Sequence, residues 1–327
     1  MTPRVLVTGA GGFIGSHVVD LLLKQDIELT ALCRYSSTGD FGWLESERHT
    51  QASNLNRVLG DITDTEFMRT LVQGKDVVVN LAALIGIPYS FVAPRAYLDV
   101  NIGGVFNILE ATKGTDTRLV QISTSEVYGT PQTVPIELSH PISPQSPYAA
   151  TKSAADQLCM SYAKTFGSKI LVIRPFNTFG PRQSKRAIIP TILTQLASGA
   201  NVVRVGSTSP KRDFTFVEDT AQAIVTACFE GTPDGHTVQL GTGRSISISD
   251  VLNICKGLIR SDFEIEVDDS RIRPKLSEVD ILESNPISAF NELGWAAKTS
   301  LEEGLLKTYS WLENQGPEGA KSQKYAI

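Results

Sequence analysis

Residues 5–24, VLVTGAGGFIGSHVVDLLLK, constrain the fold more than any other part of the chain. An apolar, β-branched run leads into a glycine-rich turn, and apolar residues then recur at helical spacing. Such a unit holds the diphosphate of a dinucleotide, because glycines allow a tight turn, close approach of backbone to phosphate, and close packing of helix on strand. The stretch predicts a dinucleotide site contacted by Gly9, Gly12, Phe13, Ile14 and Gly15. A βα turn without a ligand is the alternative.

The rest of the chain repeats the same rhythm of strand and helix. Apolar strand candidates alternate with segments of helical periodicity. The candidates are RVLVTG, IELTALC, LNRVLGD, DVVVNLAA, TRLVQIS and SKILVIRP. This alternation predicts an α/β fold, a Rossmann-type doubly wound parallel sheet with a smaller, interleaved C-terminal lobe for the substrate.

The domain limits are predicted from a change of pattern after residue 174. Gly and Pro become frequent there, and helical periodicity returns at VEDTAQAIVTACFE. We expect a dinucleotide-binding domain at 1–174, to which residues 212–240 return. Residues 175–211 and 241–313 form the substrate-binding lobe in this prediction, and the polar residues 314–327 form a flexible tail.

Composition and charge exclude several classes of function. The 327 residues carry a net charge of −5 with no long basic run, so we expect no nucleic-acid partner. No apolar run reaches membrane-spanning length and no leader pattern opens the chain, which predicts a cytoplasmic protein without a membrane contact. The four cysteines show no CxxC spacing and the four histidines no ligand spacing. We therefore expect buried thiols and no metal site.

The end of the second predicted strand, LCRYSSTGD, bears on which dinucleotide binds. No acidic residue stands at the strand tip to bond a ribose 2′-hydroxyl. Arg34, Ser36 and Ser37 follow instead, and a cation with two hydroxyls suits the 2′-phosphate of NADP. NADP is slightly favoured over NAD; an arginine stacked on the adenine of NAD is the alternative. Asp61 and Ile62, after the third strand, border the adenine or form a surface turn.

Tyr148 and Lys152 form the candidate proton-transfer pair. They lie four residues apart in a segment of helical spacing, so both side chains share one helix face. A free tyrosine has a pKa of about 10 and is a poor base at neutral pH. Two cations, Lys152 and an oxidised nicotinamide, favour the phenolate and lower that pKa. Thr124 supplies a hydroxyl partner, and a solvated surface pair is the alternative.

Six motifs, taken in order, resemble the extended short-chain dehydrogenase/reductase family of nucleotide-sugar enzymes. They are TGAGGFIG, NLAA, STSEVYG, YAATK, RPFNTFGPR and RDFTFVED. The resemblance spans residues 5–311 and specifies the family better than the reaction. It implies that NADP or NAD also contacts Leu81, Ala82, Ala83 and Pro175, besides the tyrosine and lysine of YAATK.

The resemblance implies a catalytic role for Glu126. A sugar 4-epimerase returns hydride to the carbon that it left and needs no second base. In a 4,6-dehydratase, oxidation at C4 makes the C5 proton acidic, a carboxylate removes it, hydroxide leaves C6, and the hydride is delivered to C6. We therefore expect Glu126 to act on C5 and Thr124 to bond the C4 oxygen. A solvated loop carboxylate is the alternative for Glu126.

Ser125 departs from one pattern within the family. Dehydratases that act on dTDP-glucose carry Thr-Asp-Glu here, and the aspartate protonates the departing hydroxyl. The Thr-Ser-Glu of this chain resembles GDP-mannose 4,6-dehydratases, in which the glutamate serves as base and acid. UDP-glucuronate decarboxylases also carry Thr-Ser-Glu, so the catalytic candidates are Thr124, Ser125, Glu126, Tyr148 and Lys152 for either reaction.

Three further stretches favour one subgroup of the family. Residues 41–46, 82–101 and 180–192 look most like UDP-N-acetylglucosamine 4,6-dehydratase-like enzymes of the legionaminic acid type. The prediction is a nucleotide-sugar 4,6-dehydratase, a lyase acting on UDP-N-acetylglucosamine or a related hexose. A UDP-glucuronate decarboxylase and a 4-epimerase are the enzymatic alternatives. A nicotinamide-binding regulator without turnover is a third, which the presence of both Tyr148 and Lys152 disfavours.

Candidate substrate contacts come from the second lobe. Arginine binds diphosphate through two parallel hydrogen bonds, and the resemblance places Arg212 and Arg273 on it. Arg182 is a further candidate, or part of a solvated loop. The remaining candidates are Asn177 for the phosphate or sugar, Ser90 for the hexose, and Val205, whose backbone would hold the base or simply belong to an edge strand.

The resemblance also implies a homodimer. Residues 100–113 and 147–166 are predicted helices, and family members commonly pair such helices into a four-helix bundle. Asn101, at the start of the first of these helices, is interpreted as structural.

Overall fold

The computed structural model describes residues 2–271, 274 and 277–315. The strands are β1 (Arg4–Thr8), β2 (Glu28–Arg34), β3 (Leu55–Gly60), β4 (Val77–Asn80), β5 (Arg118–Ile122), β6 (Ile170–Pro175), β7 (Asn177–Phe179), β8 (Val202–Val205), β9 (Lys211–Phe216), β10 (Asp234–Leu240), β11 (Ser245–Ser247), β12 (Glu264–Val267) and β13 (Ile281–Leu282). The helices are α1 (Phe13–Leu22), α2 (Glu47–Thr50), α3 (Thr65–Val72), α4 (Ile87–Val92), α5 (Pro94–Tyr97), α6 (Gly104–Thr112), α7 (Pro147–Phe166), α8 (Ile188–Ala197), α9 (Val217–Ala227), α10 (Ile248–Leu258), α11 (Ile287–Leu293) and α12 (Leu301–Asn314). Arg273 and residues 316–327 of the predicted tail lie outside the described residues.

Seven parallel strands form the central sheet, in the order β10-β6-β5-β4-β1-β2-β3. The chain winds outward in both directions from the gap between β1 and β4, which is the switch point of a doubly wound sheet. All six strands predicted from the sequence are present, so the predicted α/β Rossmann-type fold is confirmed. β10 adds the seventh strand at the edge beside β6.

Strand β1 shows why the central strands are apolar throughout. Val5 and Val7 pack into a core shared with α1 and α9, while Leu6 points to the opposite face and packs with α3, α6 and α7. All three side chains are fully buried. Helices cover both faces of the sheet, so a strand in its middle has no solvent side to make polar.

The smaller lobe has its own sheets and its own core. β9 pairs with β11, β13 and β7, and β8 pairs with β12 in a separate two-stranded sheet. Side chains from α8, α10 and α12 fill the second core. β9 thus belongs to the smaller sheet, whereas β10 joins the central one. The domain limits given above stay a prediction.

Two helical segments determine where the site residues stand. α7 begins after Ser146, whose side chain accepts a hydrogen bond from the Ala149 amide, and it ends at Gly167 with a left-handed φ of 67°. α5 continues through a π-helical segment, Leu98–Gly103, into α6. Such segments are rare and often mark functional sites. The sequence predicted the helix but not this local widening.

Within the part of the chain that the structure describes, no helix is both long and apolar enough to cross a membrane. The four cysteines are buried and free, as predicted. No group of three or more His, Cys, Asp or Glu among the described residues is arranged to hold a metal ion.

Candidate active site

The glycine-rich turn leaves room for a phosphate where side chains would otherwise stand. Gly9 has a left-handed φ of 65°, and a Cβ there would lie 2.8 Å from the Ala82 amide nitrogen. A Cβ on Gly15 would lie 2.2 Å from the Gly9 carbonyl oxygen, so α1 packs directly on the turn. Gly12 is exposed, and no side chain caps α1. Uncapped N–H groups at a helix start attract phosphate, so the turn fits a dinucleotide, with Phe13 and Ile14 supplying the first helical amides.

A row of buried polar side chains joins the strand ends beside this turn. Thr8 donates to Asn80 at 2.6 Å, and Asn80 donates to Gln121 at 2.8 Å. The Ala82 amide donates to the Thr8 hydroxyl at 3.2 Å. This row was not predicted from the sequence, although its signal was a polar residue at or near the end of each of three apolar strands. It fixes the half-buried cofactor candidates at 81–83 against the glycine turn.

The loop after β2 carries groups that suit either form of the dinucleotide. Arg34 ends the strand and is exposed, as is Ser37. The Ser36 hydroxyl lies 2.8 Å from the Thr38 hydroxyl, which in turn bonds the Asp40 carboxylate. Asp40 was not singled out in the sequence because it stands six residues beyond the strand tip. A carboxylate in this loop suits a ribose 2′-hydroxyl and repels a 2′-phosphate.

Asp61 and Ile62 have their side chains engaged within the protein. Asp61 Oδ1 accepts from the Thr63 amide at 2.9 Å and from the Thr63 hydroxyl at 2.8 Å. These bonds are typical of a turn, and the predicted adenine contact of Asp61 stays a prediction. Ile62 is buried against Gly104 of α6, where a Cβ would lie 2.3 Å from its Cδ1.

Three of the catalytic candidates come together at the end of β5. Thr124 precedes a 3₁₀ turn, Ser125–Tyr128, and its hydroxyl accepts a hydrogen bond from the Glu126 amide at 3.3 Å. Tyr148, in the first turn of α7, hydrogen-bonds the Thr124 side chain and lies within electrostatic reach of Glu126. Ser125 is buried in the same turn. A hydroxyl, a carboxylate and a phenol thus lie close together, and such groups can exchange protons with a bound sugar.

The surroundings of Tyr148 hold its phenol in the neutral form. Its ring packs with Ile87 and Tyr97, and the two tyrosine rings meet edge to face with centroids 6.4 Å apart. Burial raises the pKa of Tyr148, the hydrogen bond with Thr124 lowers it, and the charge of Glu126 raises it. The net direction is upward, so the phenol needs a further positive charge to ionise at neutral pH.

Lys152 lies four residues after Tyr148 on α7 and is anchored to the backbone of β5. It is buried, and its ammonium donates to the Ile122 carbonyl oxygen at the end of β5. Burial lowers the pKa of Lys152, while the charge of Asp156 raises it. Burial is the largest influence on the pKa of Tyr148 here, and the expectation that Lys152 and an oxidised nicotinamide together lower that pKa stays a prediction.

Asn101 ties the cofactor side of the site to the catalytic helix. It is buried in the π-helical segment, accepts from the Leu84 amide at 2.8 Å, and donates to the Leu84 carbonyl at 3.0 Å. It also donates to the Thr151 hydroxyl at 3.1 Å, on α7 between Tyr148 and Lys152. These contacts agree with the structural role interpreted from the sequence.

A buried ion pair lies behind these residues. Arg174 of β6 and Asp156 of α7 are joined at 2.9 Å, with 5% and 0% of their side chains exposed. The pair was not predicted from the sequence. The sequence did contain an indication of it: Tyr148, Lys152 and Asp156 follow one another at intervals of four residues. This spacing places the Asp156 carboxylate on the same helix face as the Tyr148–Lys152 pair.

The site candidates other than the arginines differ in whether their polar atoms already have hydrogen-bond partners within the protein. Asn177 begins β7, and its Oδ1 is buried without a hydrogen-bond donor among the described residues, so it can accept from a ligand. Ser90 is buried and donates to the Ile87 carbonyl at 2.6 Å. Val205 is buried at the end of β8, where its carbonyl accepts from Asp268, as expected for the edge-strand alternative. Pro175 is buried at the end of β6.

The arginine candidates are paired with carboxylates. Arg212 is buried and lies 3.0 Å from Glu278. Arg182 lies 2.8 Å from Asp20 of α1 and, with Trp43 and Trp311, lines a cavity of about 460 Å³ that contains none of the catalytic candidates. The structure therefore places Arg182 against α1, and its contact with the substrate stays a prediction.

Comparison with known families gives one match along most of the chain. The model of the GDP-mannose 4,6 dehydratase family matches residues 6–308. This span includes the glycine turn, the catalytic turn after β5, α7 and the arginines of the smaller lobe.

Three relatives with assigned names are similar over nearly all of the chain. It is 33% identical over 309 residues to the low-salt glycan biosynthesis protein Agl12 of Haloferax volcanii, covering 92% of this chain and 96% of that one. It is 30% identical over 321 residues to the dTDP-D-glucose 4,6-dehydratase of Mus musculus, covering 94% and 88%. It is 31% identical over 328 residues to the trifunctional UDP-glucose 4,6-dehydratase/UDP-4-keto-6-deoxy-D-glucose 3,5-epimerase/UDP-4-keto-L-rhamnose-reductase RHM1 of Arabidopsis thaliana. That match covers 97% of this chain but 48% of RHM1, so the chain spans about half the length of the plant protein.

Three solved structures share the fold at similar identity. Pal from Bacillus thuringiensis has a TM-score of 0.87 and 31% identity, covering 95% of this chain and 99% of that one. The UDP-N-acetylglucosamine 4-epimerase from Methanobrevibacter ruminantium M1, in complex with UDP-N-acetylmuramic acid, has a TM-score of 0.86 and 28% identity, covering 96% and 100%. The dTDP-glucose 4,6-dehydratase from Bacillus anthracis, in complex with NAD, has a TM-score of 0.83 and 26% identity, covering 97% and 98%.

Proposed function

The chain belongs to the GDP-mannose 4,6 dehydratase family of nicotinamide-dependent nucleotide-sugar enzymes, and from this premise we propose that it is a nucleotide-sugar 4,6-dehydratase, a lyase. Membership of the nucleotide-sugar branch of the extended short-chain dehydrogenases was predicted from the motifs and is confirmed. The family includes enzymes that epimerise as well as enzymes that dehydrate, so the reaction itself has to be argued from the site.

One observation carries the proposal. Glu126 stands on the same short turn as Thr124, which hydrogen-bonds Tyr148, and its charge acts on that phenol. A 4-epimerase needs no carboxylate there, because hydride leaves and returns at the same carbon. A dehydratase needs a base that reaches C5 while the phenol serves C4, and the turn that carries Glu126 lies beside the phenol on α7.

The residues divide the reaction between them as follows. Tyr148, once ionised, takes the proton of the C4 hydroxyl, and Thr124 donates a hydrogen bond to the C4 oxygen. A nicotinamide dinucleotide, held at the glycine turn of Gly9, Gly12 and Gly15, would supply the hydride acceptor for C4 and the hydride donor for C6. Glu126 removes the C5 proton, made acidic by the adjacent carbonyl, and then protonates the C6 hydroxyl as it leaves as water. C5 regains one proton when hydride is returned to C6, which balances the proton that Tyr148 took from the C4 hydroxyl. Ser125 has no acidic proton of comparable strength, so one carboxyl group performs both transfers.

The substrate that we propose is UDP-N-acetylglucosamine or a related nucleotide hexose. The support is the likeness of three stretches to enzymes of the legionaminic acid type, and the UDP-N-acetylglucosamine 4-epimerase named above as a structural neighbour. Asn177 and Arg212 would contact the nucleotide diphosphate and sugar, with Arg273 as a further contact. Glycan biosynthesis is the process that we propose, because the relative Agl12 is a glycan biosynthesis protein.

Three further assignments belong to the same proposal. The loop after β2 favours NADP through Arg34, Ser36 and Ser37, although Asp40 and the NAD complex of the Bacillus anthracis neighbour support NAD. A homodimer would form through the helical run at 94–112 and α7. The cytoplasm stays the predicted compartment.

Product mass distinguishes this function from its alternatives. The purified protein is incubated with NAD or NADP and, one at a time, UDP-N-acetylglucosamine, UDP-glucose, GDP-mannose, dTDP-glucose and UDP-glucuronate. Loss of one water supports the proposal. Loss of carbon dioxide indicates a decarboxylase, and an isomer of unchanged mass indicates a 4-epimerase; either result, without water loss on any sugar, contradicts the proposal.

A further inference from the structure

The turn that carries the reactive groups is attached to the protein at both of its ends. We call residues 123–128 the catalytic turn. At its start, the Ser123 hydroxyl donates to Asp156 Oδ2 at 2.7 Å. At its end, the Tyr128 hydroxyl accepts from Arg174 Nη1 at 2.9 Å and from Gln239 Nε2 at 2.7 Å. Thr124 and Glu126 lie between these two attachments.

One ion pair connects the two attachments. Arg174 donates to Asp156 Oδ2 through Nε at 3.0 Å and through Nη2 at 2.9 Å. Asp156 therefore bonds Ser123 and Arg174 on the same oxygen, while Arg174 bonds Tyr128 through its remaining terminal nitrogen. The guanidinium also lies 5.1 Å from the centroid of the Tyr128 ring. The links form a continuous path from one end of the turn to the other.

The same carboxylate acts on the helix that carries the phenol. Asp156 lies one helical turn beyond Lys152 and two beyond Tyr148, and all three side chains are buried. The Lys152 ammonium bonds the Ile122 carbonyl, directly before the catalytic turn. The positions of the Tyr148 phenol on α7 and of the Glu126 carboxylate on the turn thus both depend on Asp156.

A purely stabilising role explains this arrangement poorly. Taking two charges out of water offsets most of their attraction, and apolar residues of similar volume stabilise a core as well or better. The pair is suited to fixing the relative positions of three elements, β6, α7 and the catalytic turn. Its hydrogen bonds are directional and link all three.

We infer that the Asp156–Arg174 pair is a positioning device, which holds Thr124 and Glu126 at set distances from Tyr148 so that C4 oxidation and C5 deprotonation occur on one bound sugar. Ser123 and Tyr128 transmit this restraint to opposite ends of the catalytic turn. Loosening the start of the turn displaces Thr124 first, and loosening its end displaces Glu126 first. The second of these effects rests on the proposed function, whereas the first does not.

The test removes one hydrogen bond at each end without changing any charge. Ser123→Ala and Tyr128→Phe are compared with wild type in single turnovers, by following reduced nicotinamide for C4 oxidation and solvent deuterium incorporation at C5 for deprotonation. We expect Ser123→Ala to slow oxidation about tenfold. We expect Tyr128→Phe to slow C5 exchange about tenfold and to leave oxidation within about twofold, because small displacements of a reacting group have effects of this size.

Tyr162→Phe is the matched control. Tyr162 lies on α7, and its hydroxyl donates to Glu110 at 2.5 Å, so the variant loses an equivalent bond away from the catalytic turn. Both steps should stay within about twofold of wild type. If Tyr128→Phe does not fold, as judged by circular dichroism and thermal unfolding, Gln239→Leu loosens the same end and should give the same split.

The inference is overturned if Ser123→Ala and Tyr128→Phe slow both steps by one common factor, or if both leave the two rates unchanged. A wild-type protein that oxidises C4 without ever releasing a dehydrated sugar contradicts the proposed function instead. In that case the effect of Ser123→Ala on oxidation still tests the positioning role.

Discussion

The ring of Tyr97 meets the ring of Tyr148 edge to face, with centroids 6.4 Å apart and planes at 79°. Tyr97 is itself anchored, because its hydroxyl donates to the Gly86 carbonyl at 2.5 Å. The contact keeps water from one side of the catalytic phenol, and burial raises the pKa of Tyr148. Tyr148 must accept a proton as a phenolate, yet its surroundings favour the neutral, protonated phenol.

This environment predicts a pH dependence for C4 oxidation. The phenolate accepts the proton, so the rate should rise with pH through the neutral range. Thr124→Val removes a hydrogen bond that lowers the pKa of Tyr148, and it should move the rising limb to higher pH. Thr124→Ser keeps a hydroxyl and should leave the limb near its wild-type position. Single-turnover nicotinamide reduction against pH measures both, and coincident profiles for Val and wild type would contradict the prediction.

Glu126→Gln should separate the two halves of the proposed reaction. C4 oxidation needs Tyr148 and Thr124, so reduced nicotinamide should still form within about threefold of the wild-type rate. Release of dehydrated sugar should fall by at least about 100-fold, because general base catalysis contributes about 10²–10⁴-fold. Glu66→Gln, at an exposed carboxylate paired with Arg69, is the control and should retain full activity. Normal product formation by Glu126→Gln would refute the assigned role.

Asp156→Asn should change both stability and the alkaline side of the pH profile. The amide keeps an acceptor oxygen but leaves the buried Arg174 without an anion, which lowers the free energy of unfolding by about 3–5 kcal/mol. The charge of Asp156 also raises the pKa of Lys152, so its loss should let that pKa fall and move the alkaline limb of C4 oxidation to lower pH. Denaturant titration and rate profiles measure the two effects. An unchanged alkaline limb in folded Asp156→Asn protein would show that the pKa of Lys152 does not depend on the charge of Asp156.

Arg34 and Asp40 should act in opposite directions on cofactor choice. Arg34→Ala removes the cation at the end of β2 and should weaken NADP binding about tenfold, with NAD affected less than threefold. Asp40→Asn removes the nearby carboxylate and should strengthen NADP relative to NAD. Fluorescence titration with each dinucleotide measures the ratio. Equal effects of Arg34→Ala on both cofactors would remove the preference for NADP.

The proposed homodimer should depend on an exposed apolar row. Leu98 and Phe106 are 46% and 45% exposed on the run from α5 to α6, with the half-buried Ile102 midway between them. Unpartnered apolar side chains at this spacing are typical of a helix interface. Leu98→Glu with Phe106→Glu should convert the dimer to a monomer in analytical ultracentrifugation. Phe290→Glu, on the 64% exposed Phe290 of α11, is the control and should leave the assembly intact.

The fold was predictable because its signals are local. Five of the six strands found in the sequence are largely buried apolar runs, and the sixth, β3, lies half-buried at the edge of the sheet. Gly9 and Gly15 are required by backbone contacts that no Cβ could share. β10 was harder to identify, since it reaches the sheet only after the chain has crossed the smaller lobe and because DGHTVQL is half polar. The π-helical segment is likewise fixed by tertiary contacts of Asn101, which leave no local signature.

The chemistry of the site was predictable in its parts but not in its electrostatics. Thr124, Glu126 and Tyr148 were identified, and the structure brings them together. The spacing of Tyr148 and Lys152 could not show that the lysine ammonium bonds Ile122, nor that burial would be the largest influence on the pKa of Tyr148. Arg182 looked available in the sequence because Asp20, its partner, lies more than 160 residues away in the chain.

The attachment of the catalytic turn at Ser123 and Tyr128 has a consequence for how enzymes of this architecture diversify. Residues at the two anchor points are tied into the interior, so mutations there would be removed by selection for folding before any new chemistry could be tried. Between the anchors, Thr124, Ser125 and Val127 are also buried, and Glu126 alone is half-buried. A change in the product formed can therefore arise most readily at Glu126 while the scaffold around it stays the same.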